Sequence, residues 1–449
     1  MTEDLHTRDA RAQTIRAMLR IAIPLAFAEL GWMSMYVVDN IMVGHLPDSA
    51  VAIGAASVGG ALFSAFAIGG IGLMSGLDTL ISQAYGANNL PEAHRLLASG
   101  LTLAASLSPL IVGLILALTP LLGVLGVEPA IRVPAIGFIR IIVWSMPVLL
   151  VYTTLRRYLQ GIHYVRPVTF ALITSNLVNV LGNWLLIYGH WGAPALGIRG
   201  SALSTVIARI YLAGALALAI RLRDPAAFHD LRPDRDRIVA LFRLGLPAAL
   251  TIGFEVGVFN TTTALVATLG PVSLAAHTIA LNAASVTFMV PLGVSSAAAV
   301  SVGRALGAGE RRRAADAGWT ALGLAVVFEV AAALAFFLAP REIARAYTRD
   351  PRVISFAIKL LAIAAVFQVF DGVQTVATGA LRGMGNTRTP MTWNLVCYWV
   401  IGLPFGCWLC FVLHWGAAGL WDGLCIALVL IGTGLLWTWS VSAKRMKNT

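Results

Sequence analysis

The sequence predicts an all-α polytopic membrane protein, with twelve transmembrane helices in two six-helix lobes related by a pseudo-two-fold axis along the membrane normal. Three observations predict it. Of 449 residues, 58% are hydrophobic and only 12% charged, and the mean hydropathy is +0.81, outside the range of soluble globular domains. Twelve segments each supply the roughly 20 apolar residues that a bilayer core demands. The chain also repeats itself at a nearly constant offset, and the copies keep the same order.

The first span, 18–44, follows a basic stretch and carries Trp32, Tyr36 and Asp39 at i, i+4 and i+7. Ala26-Phe27-Ala28 resembles a signal-cleavage site, but apolar character runs unbroken to Gly44, so the segment is retained as a span. Span two, 49–77, ends on Gly72 and Gly76, a spacing that lets helix backbones approach closely. Spans three and four are 96–120 and 131–155, the latter interrupted by Pro147. The fifth, 167–188, presents Asn176, Asn179 and Asn183 on one face, and the sixth, 198–220, opens with Ser201, Ser204 and Thr205. An amide stripe of that kind serves interhelical hydrogen bonding as readily as a site.

The hydrophilic stretch around RLRDP and RPDRDR then separates an N-terminal lobe, 1–220, from a C-terminal lobe, 244–449, with 221–243 as linker. Span seven, 241–268, holds Thr251, Glu255 and Thr262; span eight, 272–302, holds Thr278, Asn282 and Ser285; span nine is 314–339. The tenth, 353–379, places Gln368, Asp371, Thr375 and Thr378 at three-and-four spacing, so its acid lies on a polar stripe. Spans eleven and twelve, 389–413 and 417–441, contain all four cysteines. Their single C-x-x-C has no second pair or nearby His, and the thiols read as small apolar side chains.

Repetition ties the halves together. SQAYGANN from Ser82 aligns with GRALGAGE from Gly303 at an offset of 221, and Trp191-Gly192-Ala193 with Trp415-Gly416-Ala417 at 224. Six spans per copy is an even number, which forces the parallel-repeat arrangement. With the N-terminus inside, 23 of the 32 Lys and Arg fall on the inner side and six on the outer, a bias that predicts both termini to be cytoplasmic. The outer cluster from Arg341 to Arg352 dissents. A net charge of +11 parked in short connections does not point to nucleic acid.

Three acids, Asp39, Glu255 and Asp371, stand in apolar surroundings where a charge costs at least about 2.5 kcal/mol. Such groups face a cavity or a partner, and only Arg140, Arg209 and Lys359 lie within the expected spans away from their ends. Paired carboxylates with neutral oxygens bind a hard cation or share protons. The expectation is therefore cation or proton coupling at Asp39, Glu255 and Asp371, with Glu255 and Asp371 as a sodium site. Glu29 and Glu329 are also intramembrane acids, for which packing and function are equally open. Asp78 is expected to cap a helix or meet water, and His277 to meet water or a backbone carbonyl. No H-E-x-x-H or Ser-His set is present in the sequence, so an enzyme is not expected.

D-N-I-M-V-G from Asp39, D-x-L-I-S-Q-x-Y-G-A from Asp78, L-x-A-H-x-I-A-L-N from Leu274 and L-R-G-x-G-x-T-R from Leu381 resemble the multidrug and toxic compound extrusion (MATE) transporters over nearly the whole chain. Acids at Glu255 and Asp371 look like the NorM branch. The resemblance implies export of organic cations and amphipathic drugs by antiport with sodium or protons, through alternating access. It implies no cofactor, a monomer, and residence in the bacterial inner membrane. It places a polar first-lobe pocket at Tyr36, Asn179, Asn183 and Thr205; where some archaeal members carry an acid, this chain has Asn183. Asn282, Gln368, Thr375 and Thr378 are expected to line the cavity of the second lobe. The neutral oxygens there favour sodium over proton. The alternative, a lipid-linked glycan flippase of related architecture, calls for a ring of Arg or Lys within the spans, which hold only three away from their ends.

Overall fold

A computed structural model describes residues 2–124 and 126–448, with side chains from Gln13 onward, and its regular structure is entirely helical. In chain order the α-helices are α1 (Thr2–Val43), α2 (Ser49–Met74), α3 (Gly76–Gly86), α4 (Leu90–Leu118), α5 (Leu121–Val124), α6 (Pro129–Ile142), α7 (Ser145–Gly161), α8 (Arg166–Tyr188) and α9 (Ile198–Arg223). After the linker come α10 (Arg235–Ala267), α11 (Pro271–Gly307), α12 (Arg311–Leu338), α13 (Pro340–Tyr347), α14 (Pro351–Gly383), α15 (Arg388–Asn394), α16 (Leu403–Cys407) and α17 (Ala417–Asn448). Eleven helical stretches are long and apolar enough to cross a bilayer, and the bent pair α6 and α7 makes a twelfth. Each of the twelve expected spans is thus a helix or a pair of helices.

Proline explains the irregular spans. The break between α6 and α7 bends the fourth by 46°. It falls at Val143, the residue whose carbonyl the ring of Pro147 would strike in a continuous helix. In the eleventh span, π-helical turns over Leu395–Gly402 and Trp408–Val412 flank Pro404 in α16, since a residue without an N–H leaves a carbonyl that the wider turn accommodates.

Two compact units partition the chain: one is 27–249, the other 1–26 with 250–449. Helices α1 and α10 are each divided, α1 after Ala26 and α10 after Ala249. The first unit packs α2 to α9 and the beginning of α10 around a core that includes Met74, Leu77, Ile81, Leu97, Met146 and Leu150. There Gly72 and Gly76 admit α10: a Cβ on Gly72 would stand 2.5 Å from Ala249 Cα, and one on Gly76 3.0 Å from the Leu241 carbonyl. In the other unit, Gly379 and Gly383 of α14 lie against the backbone of α11 at Ser295 and Ala299. Close backbone approach supplies the contact that apolar burial cannot drive in lipid.

Burial is inverted relative to a water-soluble helix. On α8, Phe170, Ile173, Leu177 and Leu181 are exposed along one face while Asn179 and Asn183 are fully buried. Apolar side chains face the lipid, and amides face protein.

Candidate functional site

In unit 27–249 the polar centre forms where α1, α8 and α9 meet. Asp39 ends the polar face of α1. Its Oδ1 accepts from Asn183 Nδ2 at 2.6 Å and its Oδ2 lies 3.1 Å from Thr205 Oγ1. Asn183 Nδ2 also lies 3.3 Å from Asn179 Oδ1, and Ser204 Oγ donates to the Asn179 carbonyl at 2.9 Å. The amide stripe of α8 is therefore divided: Asn183, with Asn179 behind it, serves the acid, while Asn176 donates to the Gly31 carbonyl of α1 at 2.9 Å. Arg209, one turn beyond Thr205, lies within electrostatic reach of Asp39. It donates to Ser145 Oγ at 2.5 Å and sits over the Phe63 ring at 4.8 Å, so it makes no direct ion pair with the acid. Tyr36 remains apart: its ring is 65% exposed, and its carbonyl accepts from Asn40.

The second centre lies in unit 1–26 with 250–449, around Asp371 on α14. Gln374 Nε2 is 3.1 Å from Asp371 Oδ1 and 3.3 Å from Tyr398 Oη. Glu255 on α10 stands within electrostatic reach of Asp371, and so does Glu329 on α12. Gly372 makes room for Glu329, because a Cβ there would meet the Glu329 side chain. Gln368 donates to Thr287 Oγ1 of α11, and the Thr375 carbonyl accepts from Ser295 Oγ at 2.7 Å. Gln368 Oε1, Gln374 Oε1, Glu329 Oε2 and Thr262 Oγ1 are buried oxygens without a hydrogen-bond partner. Of these, Gln368 and Gln374 flank Asp371 along α14, and Glu329 is within its electrostatic reach. Asn282 is exposed and Thr378 half-buried, and neither joins this network.

Ion pairing separates the intramembrane acids into two kinds. Among the described residues, Asp39, Glu255 and Asp371 have no ion pair, whereas Glu29 is paired with Arg156 and Asp78 with Arg157 at 2.9 Å. Both arginines were expected in a connection beyond residue 155, but α7 continues to Gly161 and buries them. Asp78, in the first turn of α3, does not meet water: its residue exposure is 0%. Each acid offsets the cost of burying its arginine. His277 is likewise buried among side chains rather than set against water or a carbonyl. Its Nδ1 accepts from Trp421 Nε1 at 3.0 Å, which leaves the Nε2 proton to donate to Thr263 Oγ1 at 2.9 Å.

Glu329, Tyr398 and Thr287 are members of the second centre that periodicity did not find. The signal for Glu329 in the sequence was an acid deep within the apolar run of span nine. Among the described residues no three His, Cys, Asp or Glu come close enough to hold a metal ion together.

Comparison with known proteins supports the repeat and the class. The MatE family model matches twice, at residues 24–185 and 247–408. A probable multidrug resistance protein NorM of Pseudomonas aeruginosa is 35% identical, over 97% of this chain and 91% of its own length. The multidrug resistance protein NorM of Burkholderia vietnamiensis is 38% identical, over 93% and 92%. A eukaryotic MATE transporter of known crystal structure superposes with a TM-score of 0.87 at 19% identity, covering 98% of this chain and 99% of that one. A Vibrio cholerae MATE transporter in the bent form gives 0.86 at 18%, covering 98% and 99%.

Proposed function

Because this chain belongs to the MATE family of membrane transporters, we propose that it is a secondary active multidrug exporter, expelling organic cations and amphipathic drugs in exchange for sodium or protons. It works by alternating access from the bacterial inner membrane, with both termini cytoplasmic. The observation that carries the reading is the contrast among buried acids: Glu29 and Asp78 are neutralised by arginines, while Asp371 and its neighbour Glu255 are not. A carboxylate kept in hydrocarbon without a fixed cation is available to a mobile one. Names of the relatives at 35% and 38% identity support the drug substrates.

Glu255 and Asp371 hold the coupling ion in the second lobe, and Asp39 answers for the first. Gln368 and Gln374 contribute buried oxygens without partners, which suits a hard cation and favours sodium over the proton. Glu329 is a third acid beside Asp371. When the ion binds, the charge of the site changes, and a lobe whose two access states differ in affinity for that ion converts the gradient into a conformational swing.

The test is expression in drug-sensitive cells with ethidium and a fluoroquinolone as probes. The inserted wild type is expected to raise tolerance, and Asp371→Asn or Glu255→Gln to abolish that gain at unchanged membrane levels. Normal efflux by both variants would remove the coupling assignment. Proteoliposomes given a sodium gradient without a pH gradient decide the ion, and dye movement under those conditions is the expected result.

A further inference from the structure

We propose that the chain binds the phosphate of anionic phospholipid headgroups in two arginine-lined grooves, one within each compact unit. The larger, of about 480 Å³, is formed by Arg341 and Arg345 of α13, Arg349 and Thr348 of the turn that follows, and Ile354 and Ile358 of α14. The smaller, of about 340 Å³, is formed by Arg140 with Val133, Ile136 and Ile141 of α6, and by Arg199 in the first turn of α9.

Unpaired charge is the first argument. None of these five arginines forms an ion pair among the described residues, while their neighbours do: Asp350 holds Arg352 at 3.2 Å, and the buried Arg156 and Arg157 have their own acids. Glu342 shares α13 with Arg341 and Arg345 and is exposed, yet it bridges neither. Guanidinium groups gathered around a groove without a carboxylate call for an external anion, and the fork of arginine donors fits phosphate oxygens in pairs.

The grooves also choose between a lipid and free phosphate. Val133, Ile136 and Ile141 make up half the lining of the smaller groove, Ile354, Ile358 and Pro351 give the larger one an apolar side, and Phe337 and Leu338 are exposed at 69% and 75% just before α13. Trp144 is similarly exposed below Arg140. A hydrated inorganic ion gains nothing from such walls, whereas a phospholipid covers them with its chains. Depth agrees: Arg199 and the arginines just before α14 stand at helix starts, where headgroups lie, and Arg140, in the last turn of α6, lines the same groove as Arg199.

Charge distribution is the third argument. Connections on the side opposite the termini hold six arginines, Arg132, Arg199, Arg341, Arg345, Arg349 and Arg352, and four of these line the grooves. Positive charge is scarce on that side, so its concentration around two cavities is selective.

The test uses the purified full-length protein in detergent, with bound lipid counted by native mass spectrometry after titration with phosphatidylglycerol or phosphatidylcholine. Wild type is expected to retain two phosphatidylglycerol molecules. Replacing Arg341, Arg345 and Arg349 together with Gln removes one, weakening its retention at least about tenfold. Arg140→Gln with Arg199→Gln removes the other, and Arg352→Gln removes neither. Should a Gln variant not purify, the matching Lys variant is read, and it keeps the preference for the anionic lipid with weaker retention. Equal retention of phosphatidylcholine, or two lipids still held when all five arginines are replaced, would overturn the proposal. So would displacement of lipid by millimolar inorganic phosphate, which would make the grooves free-phosphate sites.

Discussion

At the scale of single residues, buried carboxylates stand in two settings in this chain, with a neighbouring arginine or without one. Glu29 and Arg156 are both nearly excluded from solvent, at 12% and 10% side-chain exposure. Removing one partner leaves an uncompensated charge, which costs about 3–5 kcal/mol, whereas apolar replacement of both is close to neutral. Glu29→Leu is therefore expected to lower the melting temperature of the solubilised protein sharply, and Glu29→Leu with Arg156→Met to restore most of it. The prediction is wrong if the double variant melts no higher than the single. Asp371→Asn has the opposite profile, with stability kept and transport lost. From sequence, periodicity put Asp39 on one polar face with Tyr36 and Asp371 on another with Gln368, and only the family resemblance brought Asn179 and Asn183 into the first lobe's pocket. It could not pair Glu29 with Arg156, 127 residues away. The end of an apolar run does not say where burial stops when an acid on another helix is waiting to neutralise the arginine.

Helices show why spacing in the chain reveals some neighbours and hides others. Gly76 was legible as half of a G-x-x-x-G pair, and it does face the backbone of α10. Gly372 belongs to no such pair, and its small size serves Glu329 on α12, a relation invisible until the helices are packed. Gly372→Ala is expected to push the Glu329 side chain away from Asp371. It should cost about 1–3 kcal/mol by overpacking and lower the apparent affinity for the coupling ion in proteoliposomes. Unaltered ion dependence would leave Glu329 a packing residue only.

The linker is held by its own electrostatics. Arg237 bridges both oxygens of Glu92 at 2.8 and 2.7 Å and pairs with Asp234. The backbone N–H of Arg237 holds the Asp234 carboxyl below its ordinary value. A depressed carboxylate stabilises at pH above its unfolded value, about 3.9, and that contribution is lost as pH falls through the lower folded value. The turn should keep its amide-exchange protection from pH 7 down to about pH 4 and lose it in stronger acid. Arg237→Gln should lose part of it at pH 7.

For the molecule as a whole, the repeat written in the sequence reappears as two family matches, each covering five of the six spans of its half. It was legible because paired motifs such as Trp191-Gly192-Ala193 and Trp415-Gly416-Ala417 occupy connections, where turn geometry resists drift. Compactness is drawn differently. The unit that contains α11 to α17 also owns the leading residues of α1, through Ala26, and the other unit owns α10 through Ala249. An engineer who nicks the gene near residue 230 would obtain two polypeptides, each carrying a stretch whose packing partners were left on its sibling. Neither is expected to accumulate when made alone, while the pair made together should assemble and confer drug tolerance. Cells that stockpile a lone fragment in stable form would show that the loan of these helix segments is dispensable.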